Sequence, residues 1–218
     1  MDGKYIRCTN VAENKLSNFR ITLAELQTFA SPVQAIVHSH PSVQPYPSFN
    51  DMEQQILGDI PWAIASVTAN EDGSDPYCMD LFWFGDSLPR LPLVGRAFRH
   101  GVQDCFALAR DEHKTRGIDV PNFPRSNGWW VPDKNKPTRR LFEEYFEESG
   151  FEIIDVSQIR EGDGFACPYA TSVICHCGVF MPGEKVLHHF ANSKSEIVAA
   201  HKWVRRTMDG GKFFRWKG

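Results

Sequence analysis

Cys105 stands in GVQDCFALA, where a loop passes into a run with helical spacing. A thiol at a helix N-terminus meets unpaired N–H groups and positive potential, which favour the thiolate. The same N–H groups can hold an oxyanion. His176, in ICHCGVFM, is a candidate base, and KVLHHF follows after the turn MPGE. In an antiparallel hairpin His188 can approach His176 on one face and fix its ring orientation. Nucleophile, base and orienter would then be assembled from distant positions. Each residue also has a plain reading: an inert buried helix cysteine, and histidines packed in strands. Turning His176 toward Cys105 sends the flanking Cys175 and Cys177 to the opposite side. Those two thiols with His188 and His189 have metal-ligand chemistry as an alternative.

A second group lies in VHSHPSVQPYPSFND. His38 and His40 alternate on a strand, so both side chains leave the same face. Asp51 follows just inside the next helix. Two imidazoles and a carboxylate leave a fourth position open for water, as catalytic zinc requires. Ser48 would stand beside that water as a donor. The competing reading makes Ser48 an N-cap, with Asp51 reaching back as a capping-box variant.

The elements that must position these residues follow from period and punctuation. KYIRC and AIVHSH read as short strands, with a helix from about 22 to 29 and another starting near Ser48. PWAIASVTA and CMDLFWF read as strands. GDSLPRLPLVG is rich in Pro and Gly and reads as a linker. DCFALARDEHKTRG reads as a helix ended by Gly117. Residues 138–149 carry Leu141, Phe142, Tyr145 and Phe146 on one stripe, which is helical. FEIIDV, GFACPY, SVICHCGVFM, KVLHHF and KFFRWKG read as strands, and the basic tail from His201 as a final hairpin. Helices followed by strands describe an α+β domain with an antiparallel sheet. The expected domains are 1–84, a linker at 85–93, and 94–218.

Composition is that of an ordinary globular chain: 218 residues, 42% hydrophobic and 23% charged, with net charge −3. The charge is unevenly spread. Residues 1–93 hold 5 Lys/Arg and 11 Asp/Glu; residues 94–218 hold 19 and 16. An acidic module followed by a mildly basic one fits two domains. No nucleic-acid preference shows at whole-chain level. No apolar run reaches the length of a membrane span, and the start lacks a signal-peptide core. The expectation is synthesis in the cytoplasm, with the six cysteines free.

His-Ser-His-Pro, six residues, then Ser-x-x-Asp resembles the JAMM (MPN+) metalloprotease motif. The resemblance implies a truncated α/β module with His38, His40 and Asp51 as zinc ligands and Ser48 as oxyanion helper. That family also uses a Glu well before the first His. Only Glu13 and Glu25 precede it here, and neither fits, so this module is expected to bind zinc and not to cleave.

Asp-Cys at a helix start, GDG in a turn, His-x-Gly-hydrophobic-aromatic, then His twelve positions after the first His resembles the NlpC-type cell-wall cysteine peptidases. The resemblance covers about 95–216. It implies a papain-like fold with Cys105 as nucleophile, His176 as base and His188 as the third polar residue, without any cofactor. Two positions depart from that pattern: Phe106–Ala107 replace Ser-Gly, and Phe98 or His100 stands where an oxyanion-assisting Tyr is usual.

The order of modules, with GKYIRCTNVAENKLSNFRI, VHSHP, GVQDC and LHHF, resembles tail assembly proteins of lambda-like tailed phages. That implies a place in the virion tail tip, with tail-tip proteins and peptidoglycan stem peptide as partners. Action would be in the host periplasm or cell wall. The alternative is a structural tail component with two worn domains.

Overall fold

A computed structural model describes residues 3–41, 45–68, 75–132, 139–146 and 148–218. The chain divides into two units, Met1–Pro45 with Leu57–Leu88, and Tyr46–Ile56 with Pro89–Gly218.

The first unit holds a three-stranded sheet ordered β1-β2-β3, formed by Ile36–Pro41, Trp62–Thr68 and Tyr77–Phe84. β1 runs parallel to β2, and β3 antiparallel to it. A parallel pair needs a crossover, and helix α2 (Phe49–Gly58) lies between β1 and β2 in the chain. Trp62, Ala63, Ile64, Phe82 and Phe84 are buried. The expected helix at 22–29 is a single turn, α1 (Leu23–Leu26), capped by Thr22, whose hydroxyl accepts the Glu25 N–H at 3.1 Å. KYIRC forms no strand: Tyr5 and Ile6 are exposed, so the run has no face to pack.

Residues Tyr46–Ile56, expected in the first domain, group with the second unit. Met52 explains it. It is 2% exposed, and a Cβ placed on Gly101 would fall 2.8 Å from its Sδ and 3.3 Å from Pro47 Cγ. Asn127 Nδ2 also donates to the Tyr46 hydroxyl at 2.9 Å. The stretch expected as linker is likewise pinned at its far end. Arg96 donates from Nε to Pro92 O at 2.7 Å, and its Nη1 pairs with Asp111.

The second unit carries a six-stranded sheet ordered β4-β9-β5-β6-β7-β8, with every neighbouring pair antiparallel. Its strands are Phe151–Ile154 (β4), Gly164–Pro168 (β5), Ile174–Met181 (β6), Lys185–His188 (β7), Glu196–Ala199 (β8) and Lys212–Trp216 (β9). The protein is therefore α+β, as the order of elements predicts. Two clusters flank the sheet. One joins α3 (Cys105–Thr115) and α4 (Leu141–Phe146) to Cys177, Val179 and Phe214. The other sets Phe165, Phe180 and Phe213 against Trp203. Residues 138 and 147 of the helix expected at 138–149 lie outside the described residues, as does Ala69 of the PWAIASVTA run.

The tail is not the expected hairpin. His201–Met208 forms helix α5, with Trp203 and Thr207 buried one turn apart and Arg205 exposed. That is a helical stripe, and it returns the chain so that β9 slots between β4 and β5. The GDG turn anchors this arrangement. Asp163, 2% exposed, accepts from Arg215 Nε and Nη2 at 2.9 and 2.8 Å and from the Arg160 N–H at 2.7 Å.

Candidate active site in the second unit

Cys105 begins α3, and Asp104 is its N-cap, with extended backbone and a carboxylate that accepts the Ala107 N–H at 2.9 Å. The loop before it turns at Gly101 (φ 77°), whose N–H donates to Asp104 Oδ2 at 2.8 Å. Cap and turn fix the first turn of α3 against β6, and the half-buried thiol lies 3.9 Å from Cys175 O.

The thiol is held well below its ordinary pKa. The largest cause is a hydrogen bond with Cys177; burial opposes it, and a hydrogen bond and the charge of His176 add to it. Cys177 is pushed well above its ordinary value by burial and then by Cys105. The helix N-terminus also favours the charge on Cys105.

Cys177 was expected on the side of β6 away from Cys105. It packs instead in the cluster that includes Cys105. The reason lies in register: β7 pairs with β6 only over Gly178–Met181, so residues 174–177 leave that edge of β6 open to α3.

His176 is 4% exposed. Its ring stacks on Phe190 at 4.4 Å and packs on Trp203 at 4.9 Å. Gly178, two residues on, has no room for a Cβ, which would fall 2.5 Å from Leu187 O and 2.7 Å from the Phe165 ring. That is the physical reason for glycine in His-x-Gly. His188 pairs in register with Gly178, which brings its ring edge-on to His176 at 5.4 Å. Among the described residues His176 Nε2 and His188 Nδ1 are buried without a hydrogen-bond partner, while His188 Nε2 lies 3.7 Å from Glu196 Oε1. Burial, then the charges of His176, His189 and Lys202, lowers His188 to about 4, so it is neutral at physiological pH. His189 is also buried, with Nε2 3.2 Å from Ser193 O, so both histidines of LHHF point inward.

Phe98 and His100, the two positions considered for the oxyanion-assisting group, have other partners. Phe98 lies edge-on to His189 at 5.2 Å. His100 Nε2 is 3.1 Å from Arg125 O. Arg125 itself was missed in the sequence. It is 2% exposed and forks onto both Asp104 oxygens at 2.9 Å. The Asp-Cys motif is read in the sequence, but not that Arg125 meets its aspartate.

In the first unit, His38 and His40 share a face of β1, as the alternation predicts, with their Nε2 atoms 3.1 Å apart. Phe19 stacks on His38 at 4.7 Å. Two imidazole ligands of one tetrahedral zinc stand about 3.3 Å apart, so this pair fits half of a zinc donor set. Asp51 belongs to the second unit. There the capping-box geometry is present: Asp51 Oδ2 accepts the Ser48 N–H at 2.8 Å, and Ser48 Oγ accepts the Asp51 N–H at 3.2 Å. Among the described residues of the second unit, no three His, Cys, Asp or Glu gather their ligand atoms, so Cys175, Cys177, His188 and His189 form no metal cluster. No described helix is long and apolar enough to cross a membrane.

Fold and site together define an α+β protein that sets a capped-helix thiol against the histidines of an antiparallel sheet. The chain belongs to the phage tail tip assembly protein K family. It is 30% identical over 196 residues to tail tip assembly protein K of Escherichia phage lambda, covering 89% of this chain and 87% of that protein. It is 27% identical over 220 residues to the protein of the same name in Escherichia phage N15, covering 98% and 83%. No protein-family model and no solved structure matches the chain.

Proposed function

We propose that the chain is a tail-tip assembly component whose second unit is an NlpC-type, papain-like cysteine peptidase. Its substrate would be the stem peptide of peptidoglycan, and its place the virion tail tip, acting in the host periplasm or cell wall. The observation that carries this is the lowered thiol of Cys105 at the start of α3, with His176 of β6 among the causes of the lowering. Cys105 attacks the amide carbonyl, with the first-turn N–H groups of α3 receiving the oxyanion. His176 takes the thiol proton and returns it to the leaving amine. His188, neutral beside His176, is the third polar residue. The test is digestion of purified peptidoglycan by the protein and by Cys105→Ala. Release of stem-peptide fragments by the first alone is expected; equal release by both would reject the reading.

The first unit, with His38 and His40 as zinc ligands, is read as the JAMM-like module. Zinc bound there would act as a Lewis acid on a carbonyl or water.

One observation favours a structural tail component with degenerate domains instead. Among the described residues, His176 Nε2 and His188 Nδ1 have no hydrogen-bond partner to orient the rings. A turnover that tracks Cys105 would exclude that alternative.

A further inference from the structure

Arg125 follows α3 in the loop PNFPRSN and is as buried as the core phenylalanines. Nε and Nη2 reach the two oxygens of Asp104 at 2.9 Å each. Nη1 donates to Phe123 O at 2.9 Å and to Asn122 Oδ1 at 3.2 Å. The guanidinium also covers the Phe106 ring at 4.9 Å. Asp104, 3% exposed, accepts from Gly101 and Ala107 as well.

A buried ion pair adds little stability over an apolar pair of the same volume, and an uncharged Ser or Thr caps a helix as well as Asp does. The pair therefore calls for another use, and its position supplies one. The capping carboxylate directly precedes the candidate nucleophile. An unpaired anion there would repel a thiolate; a bidentate guanidinium cancels that charge while locking the cap.

We propose that Arg125 is a positioning residue for Cys105: it holds Asp104 in the cap and neutralises it, so that the helix N–H groups set the field at the sulfur. The proposal rests on Cys105 being the nucleophile. The charged and titratable groups around the thiol are Asp104 on its own helix, His100 before it and Arg125 after it. From β6 come Cys175, His176 and Cys177, from β5 Cys167, and from the end of β7 His189. Among them Arg125 pairs with the cap at 2.9 Å, while His100 Nδ1 lies 3.9 Å from Asp104 Oδ2.

The test is the pH profile of Cys105 alkylation by iodoacetamide, resolved from the other cysteines by peptide mass spectrometry, in protein shown to be folded by circular dichroism. Arg125→Gln is expected to raise the midpoint by about one unit or more, and Arg125→Lys, which keeps the charge, by less. The double variant Asp104→Asn with Arg125→Gln, which carries neither charge, is expected within about half a unit of wild type. An unchanged midpoint in folded Arg125→Gln overturns the proposal. Should that variant not fold, the double variant decides, because a rise of about a unit there overturns it too. Alkylation is read without peptidoglycan, so the two readings fail separately. A wild-type protein that alkylates as expected but cuts nothing rejects the peptidase alone. An unchanged Arg125→Gln midpoint in a protein that cuts rejects the Arg125 role alone.

Discussion

The Cys105 sulfur lies 3.9 Å from the carbonyl oxygen of Cys175, beside the part of β6 that extends beyond its pairing with β7. At that open edge the thiol meets groups of two successive residues, His176 and Cys177. Side chains of neighbouring strand residues point to opposite faces, and only a group approaching along the edge meets both.

Cys177 is therefore expected to act on Cys105 as a hydrogen-bond donor to the thiolate. Cys177→Ala removes that donor, which is the largest cause of the lowered pKa. The Cys105 alkylation midpoint should rise by about one unit, and the rate at neutral pH should fall several-fold. Since Cys177 is 2% exposed, a modest stability loss of about 1 kcal/mol should accompany the change. Equal alkylation profiles for both proteins would show that the two thiols do not share a proton.

His176 and His188 are expected to separate by magnitude. Under the peptidase reading, His176→Ala removes the base and should cut turnover by about a thousand-fold. Among the described residues His188 Nδ1 has no hydrogen-bond partner, and His188 meets His176 ring to ring at 5.4 Å. His188→Gln, which keeps a polar group there, should then cost about ten-fold or less. The check is stem-peptide cleavage measured as kcat with each variant. A His188 loss as large as that of His176 would mean that an orienting hydrogen bond forms with substrate bound.

Strands β4, β5, β6, β7 and β9 were legible in the sequence because Phe, Ile, Val and Cys runs are punctuated by turns, whereas the short edge strand β8, with no buried residue, was not read. Cys105, His176 and His188 were legible because their types and spacing carry the chemistry. The Asp104–Arg125 pair was not, because contact across a loop leaves no periodic trace. The placement of Cys177 was missed because alternation fixes faces within a strand but not where a partner strand ends. Helix α5 was misread because its stripe is short, with Trp203 and Thr207 as its buried points in a run otherwise rich in charge. The grouping of Tyr46–Ile56 with the second unit depends on Gly101 accepting Met52, and no local pattern marks that.

Gly178→Ala should be among the costliest single-methyl changes in the second unit. Its Cβ would fall 2.5 Å from the Leu187 carbonyl oxygen, which is backbone of the neighbouring strand, and 2.7 Å from Phe165. Neither can withdraw: Leu187 is held in register with Val179, and Phe165 is fully buried against Trp203. Overpacking of this kind costs about 1–3 kcal/mol. Urea denaturation should show the lower midpoint with an unchanged slope. Wild-type stability in the variant would mean that β6 and β7 pack less closely than described.

Two buried histidines should make the second unit lose stability in mild acid. His113 on α3 is 2% exposed, with neither ring nitrogen hydrogen-bonded among the described residues and Nδ1 4.0 Å from Glu112 Oε2, in a pocket lined by Phe106, Phe142 and Phe151. Burial, then the Arg116 charge, lowers it to about 4, and burial with the neighbouring His176 lowers His188 to about 4. Both folded values lie below the ordinary 6.5. Between pH 6.5 and 4 the unfolded chain binds protons that the folded chain refuses, so stability falls as pH drops through this window and is whole above it. Each histidine contributes on the order of 3 kcal/mol over the full range. His113→Leu removes one of the two and loses no hydrogen bond. The difference between variant and wild type in denaturant-unfolding free energy should therefore grow in the variant's favour from pH 7 to pH 5. A constant difference across that range would mean that His113 is not held neutral by its pocket.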